Sequence, residues 1–174
     1  MPEKRKIYII GFMGSGKSTA GRKLAASLGW SFIDLDRRIE ETAGKTIPQI
    51  FAQDGEDHFR KIEAEVLRSL GQDKKIVVST GGGTPCYGDN MDYMLKTGVT
   101  VYLKMTPDQL AKRLLGTSDE RPLLKNIPDD RLPGFIEEKL AFREQWYGKA
   151  NITVDGICLN IDLIRSIISS RSGN

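Results

Sequence analysis

Gly11-Phe12-Met13-Gly14-Ser15-Gly16-Lys17-Ser18 fits the spacing G-x-x-x-x-G-K-[ST] of a phosphate-binding loop. The residue types explain the chemistry. Glycines let a backbone come close to a polyphosphate and turn its N–H groups inward. A helix that begins at the loop adds free amides and the positive end of its dipole. Lys17 can reach β- and γ-phosphates, the Ser18 hydroxyl is a ligand for Mg2+, and Thr19 can add a phosphate contact. The plain alternative is a glycine-rich turn without a ligand. Context speaks against it: residues 6–10 read as a buried strand before the loop, and 18–28 as a helix after it.

Other residues could act beside such a loop. Asp34 and Asp36 stand at the end of a strand predicted over 31–34. If the extended chain persists to Asp36, alternation puts both carboxylates on one side. They would then lie at the carboxyl end of the sheet, where open α/β sheets hold ligands, and could serve a metal and a hydroxyl substrate. The other reading is a helix cap followed by a surface acid. Gly81-Gly82-Gly83 follows a strand predicted over 75–79. Three glycines are entropically costly and ask for a reason, either a mobile turn or close approach to a ligand. Their place beside the phosphate loop favours the ligand. Arg60 sits at the edge of the apolar face of its helix, in line with Ala64 and Leu67. A guanidinium there should meet an anion, and without further context a structural carboxylate is favoured over a substrate. Arg143, among Phe142, Trp146 and Tyr147, reads as an ordinary salt-bridge residue.

These side chains need a scaffold, and the chain can supply one. Its 174 residues, 39% of them hydrophobic and 28% charged, suit one soluble globular domain with a real core. The net charge of +3 is mild and the basic residues are dispersed, which argues against a nucleic-acid partner. His58 is the single histidine, so a multi-histidine metal site is excluded. Cys86 and Cys158, without a secretion signal, point to reduced packing thiols in a cytoplasmic protein. No apolar run reaches membrane-spanning length, and no long amphipathic seam argues against a monomer.

Strand-like runs at 6–10, 31–34, 75–79, 99–103 and 152–154 alternate with helical patterns, which predicts an α/β fold with a parallel sheet. Helices are expected over 17–28, 37–43, 47–52, 55–70, 89–96, 107–115, 135–147 and 160–169, with a frayed tail over 169–174. Thr106-Pro107-Asp108-Gln109 spells a capping box. The stretch 116–134, with Pro122, Pro128 and Pro133, reads as a long surface excursion carrying Arg121; loops of this length are often lids.

In this order the motifs resemble the shikimate kinase family, a small relative of the nucleoside monophosphate kinases. The resemblance runs from about 7 to 154. It rests on the loop at 11–19, Phe-Ile-Asp-Leu-Asp at 32–36, Ile-Glu at 39–40, Phe59-Arg60 with Glu63, Ser-Thr-Gly-Gly-Gly at 79–83, Arg-Pro-Leu-Leu at 121–124, and Arg143 before Tyr147. It implies a three-layer α/β/α sandwich around a five-stranded parallel sheet, with a mobile lid over 116–134 and an acceptor-binding region over 35–65. It also implies MgATP and shikimate as substrates. By position, Gly14, Ser15, Gly16, Lys17, Ser18 and Thr19 would hold the ATP phosphates. Ser18 would ligate Mg2+, and Asp34, with Ser79 beside it, would meet its water shell. Asp36 would bind the ring hydroxyls. Arg60 and Arg143 would grip the carboxylate, and Gly81 and Gly82 would line the same pocket. Arg121 would swing onto the phosphates, and Arg113 would stack on adenine. Lys17, Asp36 and Arg121 would form the catalytic set. The chain departs from the family at Glu144, Gln145 and Trp146, where a proline and an aliphatic often stand, and at 155–159, where no adenine contact can be named. The rivals are a gluconate or nucleotide kinase of the same architecture, then a nucleotide-dependent switch. No Asn-Lys-x-Asp base-reading motif supports the last.

Overall fold

A computed structural model describes residues 6–115 and 121–172. Five strands form one sheet in the order β2-β3-β1-β4-β5, with every neighbouring pair parallel. They are β1 (Lys6–Ile10), β2 (Ser31–Asp34), β3 (Ile76–Ser79), β4 (Val99–Lys104) and β5 (Ile152–Asp155). β1 lies at the centre and is buried along its whole length, as expected of an apolar run covered on both faces. Its side chains divide between two cores. Tyr8 and Ile10 join Leu35, Ile39, Phe59, Leu67 and Tyr147 on one face; Ile7 and Ile9 join Leu24, Val101, Ile164 and Ile168 on the other. This alternation makes the three layers.

Helices α1 (Lys17–Leu28), α2 (Leu35–Ala43), α3 (Ile47–Asp54), α4 (Glu56–Ser69), α5 (Asn90–Thr97), α6 (Pro107–Leu114) and α7 (Leu132–Tyr147) fill the connections, and α8 (Ile161–Ser172) follows the last strand. Their ends follow local chemistry. Gly29 and Gly44 stop α1 and α2 in the left-handed region, at φ of 66° each. The capping box at Thr106 forms, with Thr106 Oγ1 accepting from Gln109 N–H at 3.2 Å. Asn160 Oδ1 accepts from Leu163 N–H at 3.0 Å and starts α8. That helix runs through Ser172, so the described part of the expected frayed tail is helical.

The strand bearing the acids ends at Asp34, and α2 begins with Leu35. Asp36 therefore lies on a first helical turn and not on extended chain, because Asp34 caps the helix by accepting from Arg37 N–H at 3.3 Å. Cys158 is exposed, contrary to the packing role expected of it, whereas Cys86 packs against a core; both are free thiols. Within the expected lid, residues 116–120 lie outside the described residues. The rest carries 3-10 turns at Pro122–Leu124 and Asp129–Arg131. Leu124 and Leu132 are buried with Phe12, Leu110, Leu114 and Ile136 in a third, smaller core.

The strand order reverses at β1, with β3 on one side and β4 on the other. Ligands in open parallel sheets sit outside the carboxyl ends of the strands at such a switch point. The loop at 11–16, Asp34 and Gly81–Gly83 all emerge there.

Candidate active site

The phosphate loop has the backbone that its glycines allow. Gly14 and Gly16 take φ of 80° and 88°, a region costly for a residue with a side chain. α1 follows at once, with no side-chain cap and no acidic residue in its first turn. Its leading amides and positive dipole end thus remain available to an anion. Lys17 is buried, and its Nζ donates to the carbonyl oxygens of Gly11 and Phe12, both at 2.9 Å. Burial lowers its pKa to about 8, against the pull of Asp36. Met13, Gly14, Gly16, Lys17, Ser18 and Thr19 line one end of a cavity of about 770 Å3. Ser15 is buried beneath it, with no hydrogen-bond partner for its Oγ. Arg113 on α6 lies against the same loop and donates from Nη1 to the Gly14 carbonyl at 3.3 Å.

Beside α1, Ser18 Oγ donates to Asp34 Oδ2 at 3.1 Å and stands 3.2 Å from Ser79 Oγ. Two hydroxyls and one carboxylate make an all-oxygen donor set. Mg2+ suits it, since that ion takes one or two carboxylates and completes its shell with phosphates and water. No cluster of three His, Cys, Asp or Glu able to hold a metal occurs among the described residues, so the protein offers only part of a shell.

Asp34 and Asp36 both line the cavity. The surface-acid reading of Asp36 therefore fails: burial pushes its pKa up to about 6, while Lys17 pulls it down and Glu63 and Asp34 add to the rise. Arg121, Pro122 and Leu123 form part of the opposite lining, and Arg121 Nε is buried without a partner.

The other end of the cavity is organised by the triple glycine, through close approach of side chains to the backbone. A Cβ on Gly81 would stand 3.0 Å from Asp36 Oδ1, one on Gly82 would stand 3.2 Å from Arg143 Nη1, and one on Gly83 would stand 2.6 Å from Arg60 Nη2. A Cβ on Gly81 would also stand 3.1 Å from Thr84 Oγ1, and one on Gly82 would stand 3.1 Å from the Met13 backbone nitrogen, so Gly82 lies against the phosphate loop as well as against Arg143. Tyr147 fixes the turn by donating its hydroxyl to the Gly82 carbonyl at 2.5 Å.

The two arginines are held differently. Arg60 Nη1 donates to Glu63 Oε1 at 2.9 Å, and Nη2 to Glu56 Oε1 at 3.3 Å. Glu63 is fully buried and also accepts from Thr84 Oγ1 at 2.8 Å; burial raises its pKa although Arg60 opposes the rise. Arg143 is 4% exposed, with its guanidinium 5.2 Å from the centre of the Phe12 ring. Its Nη1 has no hydrogen-bond partner, and neither has Arg60 Nε. Buried donors left free in this way are costly unless something else meets them. Arg143 is thus not the ordinary salt-bridge residue that its sequence context predicts.

Of the two carboxylates around Arg60, the sequence disclosed Glu63 only as part of a motif and did not disclose Glu56. They sit at i−4 and i+3 from Arg60, so helical spacing could have found them. Thr84 and Tyr147 carry no comparable signal, because their contacts cross 21 and 65 positions of chain.

Known proteins match this chain over most of its length. The family model described as shikimate kinase matches residues 13–169. A shikimate kinase from Parabacteroides distasonis is 45% identical over 151 residues, covering 87% of this chain and 87% of its own. The structure of a shikimate kinase from Acinetobacter baumannii in complex with shikimate has a TM-score of 0.87 at 33% identity, covering 96% of this chain and 94% of that one. One from Bacteroides thetaiotaomicron has a TM-score of 0.82 at 37% identity, covering 97% and 96%.

Proposed function

The chain belongs to the shikimate kinase family, and on that premise we propose that it transfers the γ-phosphoryl group of ATP to the 3-hydroxyl of shikimate. The bond between the γ-phosphorus and the β-bridging oxygen breaks, a bond from phosphorus to the 3-oxygen forms, and the hydroxyl proton leaves. The products are shikimate 3-phosphate and ADP. One observation carries the acceptor assignment: free donors on Arg60 and Arg143 flank the triple glycine beside Asp36, next to the phosphate loop. Two guanidiniums and a carboxylate match a ligand with one carboxylate and several hydroxyls.

Each residue then has a task. Gly14, Ser15, Gly16 and Thr19 hold the phosphates together with the first amides of α1. Lys17 stabilises charge spreading over the transferring group, and Arg121 joins it when the lid over 116–134 closes. Ser18 and Asp34 would hold Mg2+, with Ser79 in support; when bound, the ion neutralises β- and γ-oxygen charge. Asp36, in the acceptor region over 35–65, orients the reacting hydroxyl and takes its proton. A loose transition state asks for little base strength, so a carboxylate with a pKa of about 6 suffices. Gly81 and Gly82 line the carboxylate end, and Arg113 stacks on adenine. The protein works as a cytoplasmic monomer without nucleic acid or membrane. The mild net charge of +3 supports the absence of a nucleic-acid partner, and no helix among the described residues is long and apolar enough to cross a membrane.

The test is ADP release measured in parallel with shikimate, gluconate and nucleoside monophosphates, repeated on Arg60→Ala. Turnover confined to shikimate, and abolished in the variant while ATP still binds, is expected. Preference for gluconate or a nucleotide overturns the assignment.

A further inference from the structure

Tyr87 lies on the loop after the triple glycine, 27 positions from Arg60 and on no element that carries the site. Its side chain nevertheless closes around that arginine. The Arg60 guanidinium stands 3.9 Å from the centre of the Tyr87 ring, within the range of a cation–π contact. The Tyr87 hydroxyl donates to Glu56 Oε1 at 2.9 Å, the same oxygen that accepts from Arg60 Nη2 at 3.3 Å. Gly83 presses on the same guanidinium from the backbone. Two of the nitrogens are thereby committed, Nη1 to Glu63 and Nη2 to Glu56, while Nε stays free.

An arginine that must bind a carboxylate faces two hazards. It can rotate out of the site, or a neighbouring acid can consume its donors. The ring blocks the first. The hydroxyl blunts the second, because Glu56 shares its oxygen between two donors and is held at the rim, 40% exposed. We propose that Tyr87 is a positioning residue for acceptor binding: its ring fixes the guanidinium plane, and its hydroxyl holds Glu56 aside as the acceptor's carboxylate engages Arg60. This deepens the reading that Arg60 grips the carboxylate of shikimate, and it rests on that reading.

The test compares wild type, Tyr87→Phe and Tyr87→Ala in steady-state assays with shikimate and ATP varied in turn. Y87A raises KM for shikimate about tenfold, the size of a partly desolvated cation–π contact. The KM for ATP and kcat stay within about twofold. Y87F keeps the ring and recovers most of the loss, leaving about a two- to threefold rise. Thermal melting run alongside separates this from general damage, since a merely structural role lowers Tm and moves both KM values together. A Y87A enzyme with unchanged shikimate KM, or with equal losses for both substrates, overturns the inference alone. A wild type inert toward shikimate overturns the underlying reading, and the inference falls with it.

Discussion

The two ends of the cavity are made from different materials. The phosphate end is backbone: left-handed glycines, an uncapped helix start and a lysine bound to loop carbonyls, all within residues 11–19. The acceptor end is side chain. Asp36 comes from α2, Arg60 from α4 and Arg143 from α7, and they meet at Gly81–Gly83 after β3. A polyphosphate is the same in every nucleotide, so fixed dipoles suffice for it. A small polyhydroxy acid is read by the placement of a few charges, and the chain keeps donors free there by tying neighbouring groups down.

That contrast can be broken by substitution. The largest effect is expected at Lys17. K17M should lower turnover by about 10³-fold, since charge on the transferring group loses its main fixed partner. The same change should stabilise the ligand-free protein. The pKa of Lys17 falls from 10.5 to about 8 on folding, so burial favours the neutral form. Its contribution to stability is complete above 10.5 and lost as pH falls through 8; at pH 7 the buried charge opposes folding. Melting curves should show K17M more stable at pH 7, by on the order of 1–3 kcal/mol, with the gap closing above pH 10.5. A K17M protein less stable than wild type at pH 7 would show that the bonds to Gly11 and Phe12 outweigh the burial cost.

At the acceptor end, D36N should lower kcat by about 10²- to 10³-fold while ATP affinity, read by calorimetry, stays unchanged. Loss of nucleotide binding would mean that the two ends are not separable. R121A tests the bridge between them. A fall in kcat of about 10²-fold is expected, and normal turnover removes this arginine from the mechanism. The smallest effect belongs to G83A. Its new methyl would meet the Arg60 guanidinium, the movable end of a side chain, so the arginine shifts and the protein folds. KM for shikimate should rise about tenfold with little change in kcat. Equal damage to ATP binding would contradict the division of labour.

The same contrast explains what a linear sequence discloses. The phosphate loop is contiguous, and its motif can be read at sight together with the strand and helix around it. Sheet class and the three inner strands follow from buried apolar runs, so they too are local. The acids were half legible: Asp34 and Asp36 share a site, but by a helix cap and first turn and not by strand alternation. The triple glycine was legible as a demand for space and not as an answer, because what fills that space comes from residues 36, 60 and 143. Arg143 looked ordinary among its neighbours, since nothing in 142–147 tells that one nitrogen is buried without a partner. Tyr87 was illegible, as its role exists only where its loop folds back on α4.

Gly81, Gly82 and Gly83 abut Asp36, Arg143 and Arg60 in turn. Three neighbouring codons therefore act as separate dials. A scan placing alanine at each should yield three distinguishable defects: disturbed hydroxyl orientation at the first, a displaced Arg143 together with a disturbed phosphate loop at the second, a displaced Arg60 at the third. Drift toward a different acceptor could begin along this short stretch without touching any charged residue.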